Sequence, residues 1–162
     1  MTKPTELHVF DFDGALYDSP APRASHPSWW YSSLSLSGHG PPGFDHRWIL
    51  VTVMAARRSV FRPEVRTALL TGRPQHKEMT VRIREMLRSA DLSFDFVQLK
   101  PVLPEISTPA YKAAAVRRWV KKEPSITSVV FYDDLTENLA AVGKVAVRAG
   151  CRYTPVLTPG VS

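Results

Sequence analysis

The 162 residues contain one cysteine, Cys151. A lone cysteine excludes an internal disulfide and a cysteine metal cluster, and Cys151 reads as a small buried hydrophobe. Long apolar runs are missing as well. None approaches the ~18 residues of a membrane span, and the opening MTKPTELHVF lacks the apolar core of a secretory signal. These absences lead to the expectation of a soluble protein in a reducing compartment, cytoplasmic, or nuclear in a eukaryotic cell. No G-x-x-x-x-G-K-[ST] run is present, which excludes a Walker-type kinase site. His26, His39 and His46 follow no zinc spacing. Acidic residues are the scarcer charge: 15 against 21 Lys and Arg leave a net charge of +6. That balance favours anionic partners such as nucleic acid, nucleotides or phosphorylated ligands.

Apolar strands alternate with amphipathic helices. ELHVFD (6–11), RTALLT (66–71), FDFVQL (94–99), TSVVFY (127–132) and CRYTPVL (151–157) read as strands. Helices are predicted over 47–58, 75–89, 109–122 and 135–149, with Gly72 ending the second strand and Thr108 capping the third helix ahead of Pro109. Met79, Ile83, Met86 and Leu87 give the second helix one apolar face. Alternation of this kind predicts a single domain over 1–162: a three-layer α/β/α Rossmann-like sandwich with a mostly parallel sheet of about five strands, the first of them central. Residues 18–47 are rich in Pro, Ser, Gly, His and Trp and have no period. They read as an ordered insertion, because Trp29, Trp30, Tyr31 and Trp48 need burial or a partner, and core packing is a commoner role for them than base stacking. Arg117, Arg118, Lys121 and Lys122 read as a solvated basic helix face.

HVFDFDGALYDS (8–19) ends an apolar strand with two carboxylates, Asp11 and Asp13, followed by Gly14. Carboxylates that close repel each other and lose water on burial. A calcium loop fails on spacing, since its fifth, sixth and twelfth positions are here Ala15, Leu16 and Pro22. Further polar residues fall at strand ends or helix starts: Thr71, Lys112, Asp133 and Asp134, with Lys100 a competitor to Lys112. Open α/β sheets bind ligands outside the carboxyl ends of their strands, so these groups can converge. A magnesium ion makes clustered carboxylates tolerable and accepts phosphate oxygens. One carboxylate can then attack phosphorus while another moves the proton.

At these residues the chain resembles the haloacid dehalogenase-like (HAD) superfamily of phosphotransferases. DFDGALY resembles the first motif, LLTGR the second, Lys112 fits the third, and YDDLTEN resembles the acidic fourth. WWYSSL, the segment with Trp48, LLTGR, FDFVQLKP, STPAYK and FYDD together resemble the HAD domain of the Swiss Army Knife RNA repair proteins. The resemblance implies Asp11 as nucleophile and metal ligand, and Asp13 as general acid/base whose backbone carbonyl also reaches the metal. It implies Thr71 and Lys112 on the phosphate, with Gly72 and Arg73 in the same substrate-binding set, although Arg73 reads equally as a solvated arginine at the start of a helix. Asp133 becomes a magnesium ligand, and Asp134 a second ligand or the partner of Lys112. Ala15 departs from the family's usual threonine, whose hydroxyl helps hold the turn after the nucleophile.

The function implied is a magnesium-dependent phosphohydrolase working through an aspartyl-phosphate on phosphorylated nucleic acid ends, RNA above all. A phosphatase for nucleotides or small metabolites is the alternative enzyme. A non-catalytic phosphate- or RNA-binding module is the alternative outside enzymes, supported by Ala15. Residues 18–47 are too short for a large cap domain, and an open site of that kind admits a macromolecular end.

Overall fold

The structure is a computed structural model and describes residues 2–20 and 27–160; His26 lies outside the described residues. Five strands form one parallel sheet in the order β3-β2-β1-β4-β5. They are β1 (Glu6–Phe10), β2 (Val65–Pro74), β3 (Phe96–Lys100), β4 (Ser128–Asp133) and β5 (Arg152–Leu157). β1 is central, and Leu7 to Phe10 are all buried, as a strand covered on both faces requires. Helices α2 (Leu50–Val60) and α3 (Lys77–Ser89) supply one outer layer, and α4 (Thr108–Lys122) and α5 (Thr136–Arg148) the other.

Each layer buries its own core. On one face Phe10, Leu69 and Leu99 pack with Val53, Ala56, Met79, Ile83 and Met86. On the other, Val9, Leu70 and Phe131 pack with Tyr111, Ala115, Trp119, Leu139 and Val142. This is the expected α/β sandwich. Among the described residues no helix is long and apolar enough to cross a membrane.

Element ends differ from the sequence reading for identifiable reasons. α2 starts at Leu50 because the residues before it pair elsewhere: Asp18 N donates to Arg47 O (2.7 Å) and Ile49 N to Leu16 O (2.9 Å). Gly72 does not end β2. The strand passes through an irregularity between Thr71 and Pro74, and Pro74 again pairs with Lys100. A Cβ on Gly72 would come within 3.2 Å of Thr108 Cγ2, so glycine lets the first turn of α4 approach. Ser107, not Thr108, caps α4: its hydroxyl accepts from Ala110 N (3.4 Å).

The insertion is ordered along its described part, with a short helix α1 (Pro27–Trp30) and a 3-10 turn (Ser33–Leu36). Trp48 is buried, crosses Tyr17 and Phe12 edge-on, and donates through Nε1 to Gly40 O (2.7 Å). Tyr17 donates to Asp45 Oδ2 (2.8 Å); burial and that carboxylate hold the phenol above its ordinary range. Tyr31, expected to need burial or a partner, is not buried: the residue is 58% exposed.

Candidate active site

The parallel ladder continues one residue past β1, where Asp11 N donates to Tyr132 O (2.9 Å). Asp11 therefore stands beside Asp133, the last residue of β4. Lys112, in the second turn of α4, reaches up between them. Its Nζ is 2.9 Å from Asp11 Oδ2 and 2.6 Å from Asp133 Oδ2, and the lysine is 1% exposed. Lys112 is thus the lysine in the cluster, while Lys100 ends β3, which β2 and β1 separate from β4. Asp133 also accepts from Leu135 N (2.9 Å) and from Asn138 Nδ2 (3.0 and 3.2 Å). Asp134 is half-buried, and Lys112 pairs with Asp11 and Asp133 instead of with it.

Burial raises the Asp11 carboxyl well above its ordinary value; Lys112 opposes the shift, and Asp133 and Asp13 add to it. Burial, then Asp133, raises Asp134. Burial alone would depress the Lys112 ammonium, but Asp11 and Asp133 outweigh it and hold the group above the usual lysine range. Carboxyl oxygens of Asp11, Asp133 and Asp134 lie within 4.8 Å of one another. Beside them, Asn138 Oδ1 is a buried acceptor with no hydrogen-bond partner among the described residues. Three hard oxygen donors and an unsatisfied polar atom fit a hydrated magnesium ion.

Asp13 faces elsewhere. Its carboxylate accepts from Arg73 Nε (3.1 and 3.0 Å) and from Arg73 Nη2 (2.8 Å), and from Ser19 Oγ. Its side chain therefore lies outside the group of three that can surround a metal. Thr71 is buried at the end of the regular part of β2, and its Oγ1 accepts from Arg73 N (3.1 Å). Arg73 is not a solvated helix-start residue. It lies on β2 and is 1% exposed.

The turn joining the two aspartates is held by backbone. Phe12 O accepts from Leu16 N and Tyr17 N (both 3.0 Å), and Phe12 N donates to Asp11 Oδ1 (2.8 Å). Gly14 has φ +72°, and a Cβ there would collide with Asp134 Oδ2, so only glycine fits. The Gly14 carbonyl accepts from Thr158 Oγ1 (2.8 Å) and Gly160 N (3.0 Å). These bonds steady the turn in which Ala15, fully buried, offers no hydroxyl. Sequence reasoning missed Thr158, Gly160 and Asn138. Asn138 carried a faint signal, lying one helical turn into the element that follows Asp133.

The sequence pattern of HAD domain family 1 in Swiss Army Knife RNA repair proteins matches residues 19–147. The matched stretch contains Thr71, Lys112, Asp133 and Asp134 and begins after Asp11 and Asp13. No curated protein matches the chain. The fold is similar to a chain in the structure of the Pnkp1/Rnl/Hen1 RNA repair complex (TM-score 0.67, 10% identity, 96% of this chain and 43% of that one). It is also similar to the HAD domain of the effector protein Lem4 from Legionella pneumophila, solved as an inactive mutant (TM-score 0.62, 11% identity, 98% of this chain and 88% of that one). This chain thus spans less than half of the first of these relatives. At such identities the likeness is one of fold.

Proposed function

The chain belongs to HAD domain family 1 of the Swiss Army Knife RNA repair proteins, and from that premise we propose that it is a magnesium-dependent phosphohydrolase acting on phosphorylated RNA ends. The observation that carries the reading is Lys112 Nζ seated between the buried carboxylates of Asp11 and Asp133, with Asp134 beside them. Such a cluster is electrostatically costly unless charge is brought to it. A magnesium ion held by Asp11, Asp133 and Asp134 would supply that charge and screen the phosphoryl group.

The chain's own residues then divide the reaction. An Asp11 oxygen forms a bond to phosphorus as the bond from phosphorus to the leaving oxygen breaks, and Asp13 gives its proton to that oxygen. Water next attacks the aspartyl-phosphate. Its proton goes to Asp13, inorganic phosphate leaves, and the Asp11 carboxylate is restored. Lys112 uses two of its three N–H donors on Asp11 and Asp133, which leaves one for a phosphoryl oxygen. Thr71 Oγ1 accepts from Arg73 N, which leaves its own O–H to donate to another.

The RNA class is supported by the family and by the net charge of +6. Phosphate release from 3′-phosphorylated RNA, 5′-phosphorylated RNA and mononucleotides, with and without magnesium, tests it. Release from an RNA end, lost in Asp11→Asn, is the expected result. Preference for mononucleotides overturns the substrate class, and no release from any substrate overturns the catalytic reading.

A further inference from the structure

A buried guanidinium must have its N–H groups matched by acceptors, or the fold is heavily destabilised. Arg73 meets this demand from two directions. Its Nε and Nη2 face Asp13, while its Nη1 donates to Trp30 O (2.6 Å) and to Ser35 Oγ (2.6 Å), both in the insertion. The indole of Trp30 covers the guanidinium, with Cζ 3.6 Å from the ring centroid. Ser35 is buried and is itself held, donating to Ser32 O (2.8 Å). A second tether fixes the same segment: His76 Nε2 donates to Tyr31 O (2.9 Å) just before α3. Arg73 therefore has nearly all of its donors committed inside the protein, and the insertion supplies half of the acceptors.

We propose that Trp30 and Ser35 are positioning residues for proton transfer by Asp13, acting through Arg73. The inference rests on the phosphohydrolase reading above. The insertion is then neither a loose flap nor a base-stacking surface at Trp30. It is a brace that sets where the Asp13 carboxyl points. Arg73, expected to bind substrate, instead couples that brace to the acid.

A misaimed acid harms the reaction in proportion to the leaving oxygen's need for a proton. A ribose alkoxide needs one, whereas p-nitrophenolate leaves without help. The test compares turnover of 3′-phosphorylated RNA and p-nitrophenyl phosphate by wild type, Trp30→Ala, Trp30→Phe and Ser35→Ala. Trp30→Ala and Ser35→Ala should lower kcat on RNA about 10–100-fold with KM little changed, and on p-nitrophenyl phosphate by less than about 3-fold. Trp30→Phe should recover most of the loss, because a phenyl ring still covers the guanidinium. Equal losses on both substrates, or no rescue by phenylalanine, overturn the proposal.

A measurement without turnover separates the two readings. The Nε–H resonance of Arg73 in a 15N-labelled protein should be protected from solvent exchange. It should lose that protection in Trp30→Ala and in Ser35→Ala. If wild type releases no phosphate, the catalytic reading falls, and this resonance still decides whether the insertion holds Arg73 on Asp13. An unchanged resonance in both variants overturns the brace.

Discussion

Asp11 and Asp13 are separated by one residue and sit in opposite company. Asp11 shares a buried lysine with Asp133 and lies among carboxylates that raise its pKa. Asp13 is turned away, its carboxylate gripped by a guanidinium that the insertion holds from behind. The first environment belongs to β4 and α4, and the second to Arg73 on β2 and the insertion behind it. A pair of identical side chains thus acquires two chemistries from what the two halves of the molecule place beside them. In the proposed reaction, nucleophile and metal ligand go with one half and proton transfer with the other.

The sharpest way to break this comparison is to remove each carboxylate in turn. Asp11→Asn should lower phosphate release about 10⁴-fold on every substrate, whatever the leaving group. Asp13→Asn should cost about 10²–10³-fold on RNA ends and much less on p-nitrophenyl phosphate. Parallel losses, measured by steady-state phosphate release, would show that the two aspartates are not divided in this way.

Removing the cations comes next. Lys112→Met leaves Asp11 and Asp133 facing each other without a cation and should cost about 3–5 kcal/mol in urea unfolding. Arg73→Met leaves only Asp13, which keeps contact with solvent and with Ser19, and should cost less. The reverse order would mean that the insertion's half carries the larger buried charge.

Magnesium should act on one half only. Protons held by Asp11 and Asp134, whose values are raised, compete with the cation. The rise in Tm produced by magnesium should therefore grow from pH 5.5 to pH 8. It should vanish in Asp134→Asn and survive in Arg73→Lys, as differential scanning fluorimetry can follow.

The smallest effect lies at the opposite end of β1. Burial depresses His8 from its ordinary value of 6.5, with Glu6 opposing. A depressed histidine binds its proton more tightly in the unfolded chain, so stability should fall as pH drops below that value. His8→Gln should flatten this slope in urea titrations at pH 5–7 without touching the magnesium shift.

Much of this arrangement is legible in local pattern. An apolar run closed by Asp11, another closed by Thr71 and a third closed by Asp133 each announce a strand and a carboxyl end. Parallel topology then brings the three ends together. Lys112 was separable from Lys100 only through the family resemblance, because Lys100 follows a predicted strand and Lys112 opens a predicted helix, and either position can face the carboxyl ends of the strands. Arg73 misled for a different reason. Its partners Trp30 and Ser35 sit in a stretch without period, so nothing local shows that the side chain turns inward. Ser107 and Thr108 are equally good caps by composition, and backbone dihedrals decided between them. Thr158 and Gly160 act across nearly the whole chain, and no spacing rule reaches that far.

That last contact links the site to the order in which the protein is made. The turn after Asp11 rests its Gly14 carbonyl on Thr158, which follows 144 residues later. A chain synthesised from its amino end exposes the two aspartates early but cannot brace the turn between them until β5 and the segment beyond it have emerged. Within this domain the acidic turn leaves the ribosome well before the residues that steady its Gly14 carbonyl, so a nascent chain, or one clipped before Thr158, carries the two aspartates without that support.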